Sequence, residues 1–171
     1  MASKINTNLF ASLIIFAVSV SACEAQTRLP KEMPADVRMS FALNGGMSPY
    51  YTNIEIEGDT LVYKEKMPDT RGKEVVWTAK ISKEDKANLY RLFIENKFDQ
   101  IVNEKQKSIV YDAGSEGISI SFASNSFNVQ SGANFPLSSK NQTRYQTIAN
   151  EFEKLAKKYS TQKQVIKIQD D

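Results

Sequence analysis

The chain of 171 residues contains no histidine, which removes the usual proton shuttle near neutrality, Ser–His–Asp and Cys–His catalysis, and imidazole metal sites. Cysteine occurs once, so neither an internal disulfide nor a multi-cysteine zinc site can form. An excess of one charge is also missing: 22 Lys+Arg stand against 20 Asp+Glu, which gives no electrostatic footing for a nucleic-acid partner. Repeats and low-complexity runs are absent. With 41% apolar and 25% charged residues the composition is that of a globular chain, and its length suits one hydrophobic core with appendages.

What is present begins at the amino terminus. Lys4 precedes the apolar run Leu9–Val18, about half of the roughly twenty residues that a membrane-spanning helix needs, and small residues follow as far as Ala22. This is the layout of a signal peptide, residues 1–22. It ends in Val20-Ser21-Ala22-Cys23, an aliphatic residue, two small residues and the single cysteine. These four residues resemble the lipobox of bacterial lipoproteins. The resemblance implies that the Cys23 thiol carries a diacylglycerol, that signal peptidase II cuts before it, and that the freed amine is acylated. Each buried methylene contributes about 0.8 kcal/mol, so two or more acyl chains would anchor the protein stably to a membrane. Glu24 stands where an aspartate would mark inner-membrane retention in some enteric bacteria, which leans toward the outer membrane. The same segment leaves two alternatives open. General signal peptidase cleavage after Ala22 or Ala25 would release a periplasmic or secreted protein, and an uncleaved segment would act as an anchor.

Removing the first 22 residues costs only the charge of Lys4, so the mature chain stays nearly neutral and headgroup electrostatics is not a second anchor. Residues 23–36 read as the lipidated amino terminus and a tether, with Pro30 and Pro34 and no hydrophobic period. A single domain is expected over 37–159. Strands are predicted at Val37–Leu43, Tyr50–Glu57, Thr60–Lys66 and Val75–Ile81, the first two joined at Asn44-Gly45-Gly46 by a type I′ turn, making an antiparallel meander.

Ser82 is the expected N-cap of a helix running to about Lys97, with Asp85 in a capping-box position and Leu89, Leu92 and Phe93 on the buried stripe. A polar loop over Asp99–Lys107 follows, and Ile109–Tyr111 is a candidate for a short extra strand. Ile118, Ile120 and Phe122 mark a half-buried strand that turns at Ser124-Asn125 into Phe127–Gln130. The clearest periodicity is Tyr145, Ile148, Ala149, Phe152, Leu155, Ala156 and Tyr159, a helix over Ser139–Tyr159. The fold class is therefore α+β: an antiparallel sheet of five to six strands with two helices on one face. The tail, 160–171, is polar apart from Val165, Ile166 and Ile168 and is expected to be frayed or weakly paired.

Residues able to carry chemistry are few. Glu55, Glu57 and Asp59 offer carboxylates for calcium or acid–base work, although cations on a neighbouring strand would balance such a row. Asp112, Ser115 and Glu116 lie in a glycine-containing loop whose spacing matches no EF-hand. Ser160-Thr161-Gln162-Lys163 matches S-x-x-K, but neither S-D-N nor K-T-G occurs in the chain. Gly45, Gly46, Met47, Tyr50 and Tyr51 combine a turn with exposed-tip aromatics and are the candidate partner contacts. No cofactor or metal is expected.

The order Phe41…Gly45-Gly46-Met47, a sheet, a helix ending in Asn96-Lys97-Phe98-Asp99, two strands and a closing helix resembles the emfourin-type domain. That family includes a protein inhibitor of a thermolysin-like metalloprotease. The likeness spans most of residues 38–158, this chain having longer segments between the glycine turn and the first helix, and it carries over no inhibitory residue. Small α+β domains of unknown function on bacterial lipoproteins share the layout. The expected function is a membrane-anchored lipoprotein with a non-enzymatic domain that binds a protein partner, a protease or an envelope protein. The alternative is a soluble exported or envelope enzyme using carboxylate or Lys/Ser chemistry.

Overall fold

The computed structural model describes residues 28–66 and 73–169, with side chains as far as Gln164. The signal segment and Cys23 lie outside the described residues. Four strands run in sequence, β1 (Arg38–Asn44), β2 (Tyr51–Glu57), β3 (Thr60–Lys66) and β4 (Glu74–Lys80), each antiparallel to the next. Helix α1 (Lys83–Glu95) then carries the chain to β5 (Ser115–Phe122) and β6 (Asn125–Gly132), and β5 pairs antiparallel with the free side of β1. Helix α2 (Ser139–Tyr159) returns it to β7 (Gln164–Gln169) beside β4, and the sheet has seven strands in the order β6-β5-β1-β2-β3-β4-β7.

The architecture is α+β, as expected, with one more strand than expected: the tail supplies β7. The tail, expected frayed or weakly paired, had no visible partner in the sequence, and the partner is the edge of β4, some 90 residues earlier. Ile109–Tyr111 forms no strand and is exposed loop. The hairpin between β1 and β2 is also looser than a type I′ turn. Gly46 alone has a positive φ, 70°, and the loop is closed by the Gly45 amide donating to the Tyr50 carbonyl at 2.9 Å.

The register stacks apolar side chains into rungs across one sheet face. One rung runs Ile120, Met39, Ile56, Leu61, Ala79, and the next runs Val129, Ile118, Phe41, Ile54, Tyr63, Trp77. Both helices cover this face. All seven α2 residues of the expected stripe are buried, and Phe152 packs its ring against Phe41 at 6.1 Å and edge-on to Phe93 of α1 at 6.2 Å. On α1, Tyr90 and Lys86 join Leu89 and Phe93 in the interior, while Leu92 is only half-buried. The opposite sheet face carries Ser40, Asn53, Lys64, Thr78 and Ser119 with Val62 and Val76 among them, and is mostly polar.

Helix α1 is secured at both ends by α2. Ser82 caps it, its Oγ accepting from the Asp85 amide at 3.1 Å, but Asp85 does not reach back to the Ser82 amide as a capping box requires. Tyr159 stands between them: its hydroxyl accepts from the Ser82 amide at 2.9 Å and donates to Asp85 Oδ2 at 2.6 Å. Lys158 adds an ion pair to the same oxygen at 2.7 Å. At the other end α1 has no basic residue of its own in the last turn, and Arg144 of α2 donates to the carbonyls of Asn96 and Lys97.

Residues 28–36 belong to the domain rather than to a tether. Leu29 is buried, its amide bonds Asp99 Oδ2 at 3.4 Å, the Tyr90 hydroxyl donates to the Pro30 carbonyl at 2.7 Å, and Asp36 accepts from the Ala123 amide at 2.6 Å. Apolar content decided this: Leu29 and Met33 pack on the core, although they show no period.

Lys158 and the Tyr159 hydroxyl hold the Asp85 carboxyl below its ordinary pKa. A carboxylate lowered on folding stabilises the fold above its unfolded pKa, about 4, and that contribution disappears as pH falls through the lower folded value. Asp85→Ala is therefore expected to cost about 1–2 kcal/mol at neutral pH, and the deficit relative to wild type should shrink as pH falls through the lowered folded value of Asp85. Urea unfolding at several pH values measures both.

Candidate functional site

The third rung across the inner face differs from the first two. Its residues are Ser131, Glu116, Leu43, Thr52, Glu65 and Val75, four of the six polar or charged where the interior rungs are apolar. Ser131 is still buried and donates to Gln142 of α2 at 3.2 Å, but over Leu43, Thr52 and Glu65 the helices no longer cover the sheet. A groove of about 450 Å³ lies between this strip and the carboxyl-terminal half of α2. Its floor is Phe41, Leu43, Thr52, Ile54, Tyr63 and Trp77, and Glu153, Ala156, Lys157, Ser160 and Lys163 form the opposing wall. A second cavity of about 240 Å³ continues the strip past Leu43 to Glu116, Gln142 and Gln146.

Tyr63 and Trp77 face each other directly across β3 and β4, their rings stacked at 4.9 Å and 15°. Such a cross-strand aromatic pair makes a rigid apolar wall. The Tyr63 hydroxyl donates to Glu65 Oε2 at 2.6 Å. Burial pushes its pKa well above the ordinary tyrosine value, and the hydrogen bond to Glu65 and the charge of that carboxylate push the same way. Tyr63 is thus a neutral donor over the whole physiological range. Burial also raises the Glu116 carboxyl, with the charge of Glu153 adding to it.

Two carboxylates, a serine and two lysines meet in this groove, and the arrangement can be judged for catalysis. Ser160 Oγ donates to the Lys157 carbonyl at 2.7 Å and so is committed to the end of the helix, and Glu65 is committed to Tyr63. Ser160 and Lys163 of the S-x-x-K match do share the groove, but the serine sits at the C-cap of α2, where no helix amides face it. Among the described residues no hydrogen bond joins Ser160 to Lys163, and no group of three or more acidic or sulfur ligands is placed to hold a metal. What the geometry offers is an apolar slot with charged and hydroxyl groups on its rim.

The residues singled out in the sequence fall elsewhere. Gly45, Gly46 and Met47 are exposed at the hairpin tip, Met47 by 81%, whereas Tyr50 and Tyr51 are half-buried and the Tyr51 hydroxyl bonds Glu74. A side chain at Gly46 would collide with the Asp112 carbonyl, so the tip is braced against the loop that exposes Tyr111 by 84%. Glu57 pairs with Arg38 at 2.6 Å and Asp59 with Lys80 at 3.1 Å, the cross-strand neutralisation anticipated for that row. Glu55 accepts from Asn53 at 2.8 Å. Asp112, Ser115 and Glu116 do not converge: Asp112 is exposed in the loop and Glu116 belongs to the inner strip. The groove itself was not foreseen. Its one available signal was the single Trp at an inward position of β4, opposite an inward Tyr.

Neither the family models nor the curated proteins compared with this chain gave a match.

Removing half of the stacked pair tests the wall. Tyr63→Ala should shift the emission of Trp77, the only tryptophan, to longer wavelength and lower stability by about 1–3 kcal/mol, read by fluorescence and thermal unfolding.

Proposed function

We propose that this protein is a bacterial lipoprotein, held at the cell envelope by lipid on Cys23, whose single α+β domain binds a partner without catalysing a reaction. The lipobox-like Val20-Ser21-Ala22-Cys23 at the end of a short apolar run supports the anchor. The groove walled by Tyr63, Trp77 and Phe41 is the observation that carries the binding reading. Its volume is in the range of ligand pockets, and an apolar body with a few polar rim groups is how such pockets bind and orient what they hold. The occupant it fits is amphipathic: an apolar part on the aromatic wall and a polar end reaching Glu65, Glu153, Lys157 or Lys163. An anchor side chain of an envelope protein, a protease among them, satisfies this as well as a small molecule does. The exposed Met47 tip, the part that resembles emfourin-type domains, is the second contact surface for a protein partner.

On the enzymatic side stands the meeting of two carboxylates, Ser160 and Lys163 in one groove. Because the serine and Glu65 are already engaged within the fold, the binding reading accounts for more of what is there.

Two measurements test the proposal. Labelled palmitate should enter the wild type and not Cys23→Ser, with wild type in the membrane fraction and the variant soluble; unlabelled wild type in the soluble fraction overturns the anchor. On Cys23→Ser protein, anilinonaphthalene sulfonate should bind with energy transfer from Trp77, and Leu43→Asp at the mouth of the groove should weaken it several-fold. Equal binding by Leu43→Asp removes the groove from the proposal.

A further inference from the structure

Cys23 is five residues from Arg28, and from Arg28 onward the chain is fixed to the domain. Five residues span at most about 18 Å at full extension, however they are arranged. Arg28 itself is pinned at the carboxyl-terminal end of α1: its guanidinium pairs with Asp99 at 3.8 Å, and the next amide bonds the same carboxylate. A domain on so short a leash stays within about 18 Å of the surface that holds its lipid, at the corner where Arg28 emerges.

We propose that the lipid on Cys23 seats the domain directly on the headgroup layer in one orientation, with the corner formed by residues 28–32 and 97–100 against the membrane. This rests on the lipoprotein reading above. The exposed side chains at that corner are Arg28, Lys31, Glu32, Lys97 and Gln100, and Asp99 is turned inward to the Leu29 amide. Basic and neutral groups therefore dominate what meets the phosphates. Attraction between them is a minor contribution beside the covalent anchor, and it is reach that fixes the orientation. The groove lies at the opposite end of α2. Arg144 touches the Lys97 carbonyl at the membrane corner, whereas Lys157 lines the groove 13 residues later, about 20 Å along the helix axis. The seat thus leaves the groove clear of the anchored corner.

The test uses the full lipidated protein in phosphatidylethanolamine/phosphatidylglycerol vesicles containing a lipid with a nitroxide headgroup. A fluorophore is placed in turn at Lys31→Cys, Lys97→Cys and Lys157→Cys, the lipidated Cys23 thiol being unavailable to the label. Quenching should be strong at 31 and 97 and several-fold weaker at 157. A flexible Gly/Ser insert of about twenty residues between Ala25 and Gln26 should reduce the quenching at 31 and 97 to the level at 157. Mass spectrometry of the same samples separates the two ways of failing. A bare Cys23 sinks the anchor. A lipidated protein with equal quenching at all three positions, or unaltered by the insert, overturns the seating and leaves the anchor standing.

Discussion

The structure depends on one constraint: a sheet with a single apolar face must bury that face, and α2 is the element that does it. Strict alternation along β1, β2 and β5 aligns Met39, Phe41, Ile54, Ile56, Ile118 and Ile120 into two rungs, and the seven-residue stripe of α2 lies across them. Phe152 touches Phe41 below it and Phe93 beside it, tying sheet and both helices through one aromatic cluster. Burial of such side chains contributes about 1.5–3 kcal/mol each, more than any of the surface ion pairs can.

Helix α1 is a dependent of α2. A helix of 13 residues is marginal alone, and this one lacks a basic residue in its last turn and completes only half of its capping box. Tyr159, Lys158 and Arg144 make good both deficits from the neighbouring helix, so the two helices are set in relative position by polar contacts at their ends as well as by packing between them. The short 3-10 turn Phe98–Gln100 that follows α1 carries Asp99, and Asp99 holds the chain at Arg28 and Leu29. The placement of the amino-terminal segment is therefore a consequence of the same helical pair.

The groove lies where this coverage stops. Coverage stops there because the third rung is built from Glu116, Thr52 and Glu65 with Leu43, residues that a helix could bury only at the cost of unsatisfied polar groups. The aromatic pair Tyr63–Trp77, half in the core and half in the groove, gives the opening a rigid wall that is continuous with the interior. A groove built this way is walled mainly by strands and a helix rather than by loops. It also explains why the hairpin tip, which drew attention through its glycines and tyrosines, is a lesser candidate: Tyr50 and Tyr51 turn out to be half-buried supports, with Met47 left as the exposed apolar side chain.

Periodicity in the sequence was sufficient for every element whose partner lies on its own buried face: the four-strand meander, the β5–β6 hairpin, and both helices with the α2 stripe residue for residue. Alternation and the 3.6-residue repeat are local consequences of burial on one side, so they can be read locally. Three features could not be. The tail becomes β7 because the edge of β4 is free to pair with it, residues 28–36 dock because Leu29 finds a site and Tyr90 a carbonyl, and the groove exists because two helices of fixed length leave a polar rung uncovered. Each depends on a meeting between residues 60 or more positions apart, and a sequence pattern carries no trace of which distant surface will be free when the chain has folded.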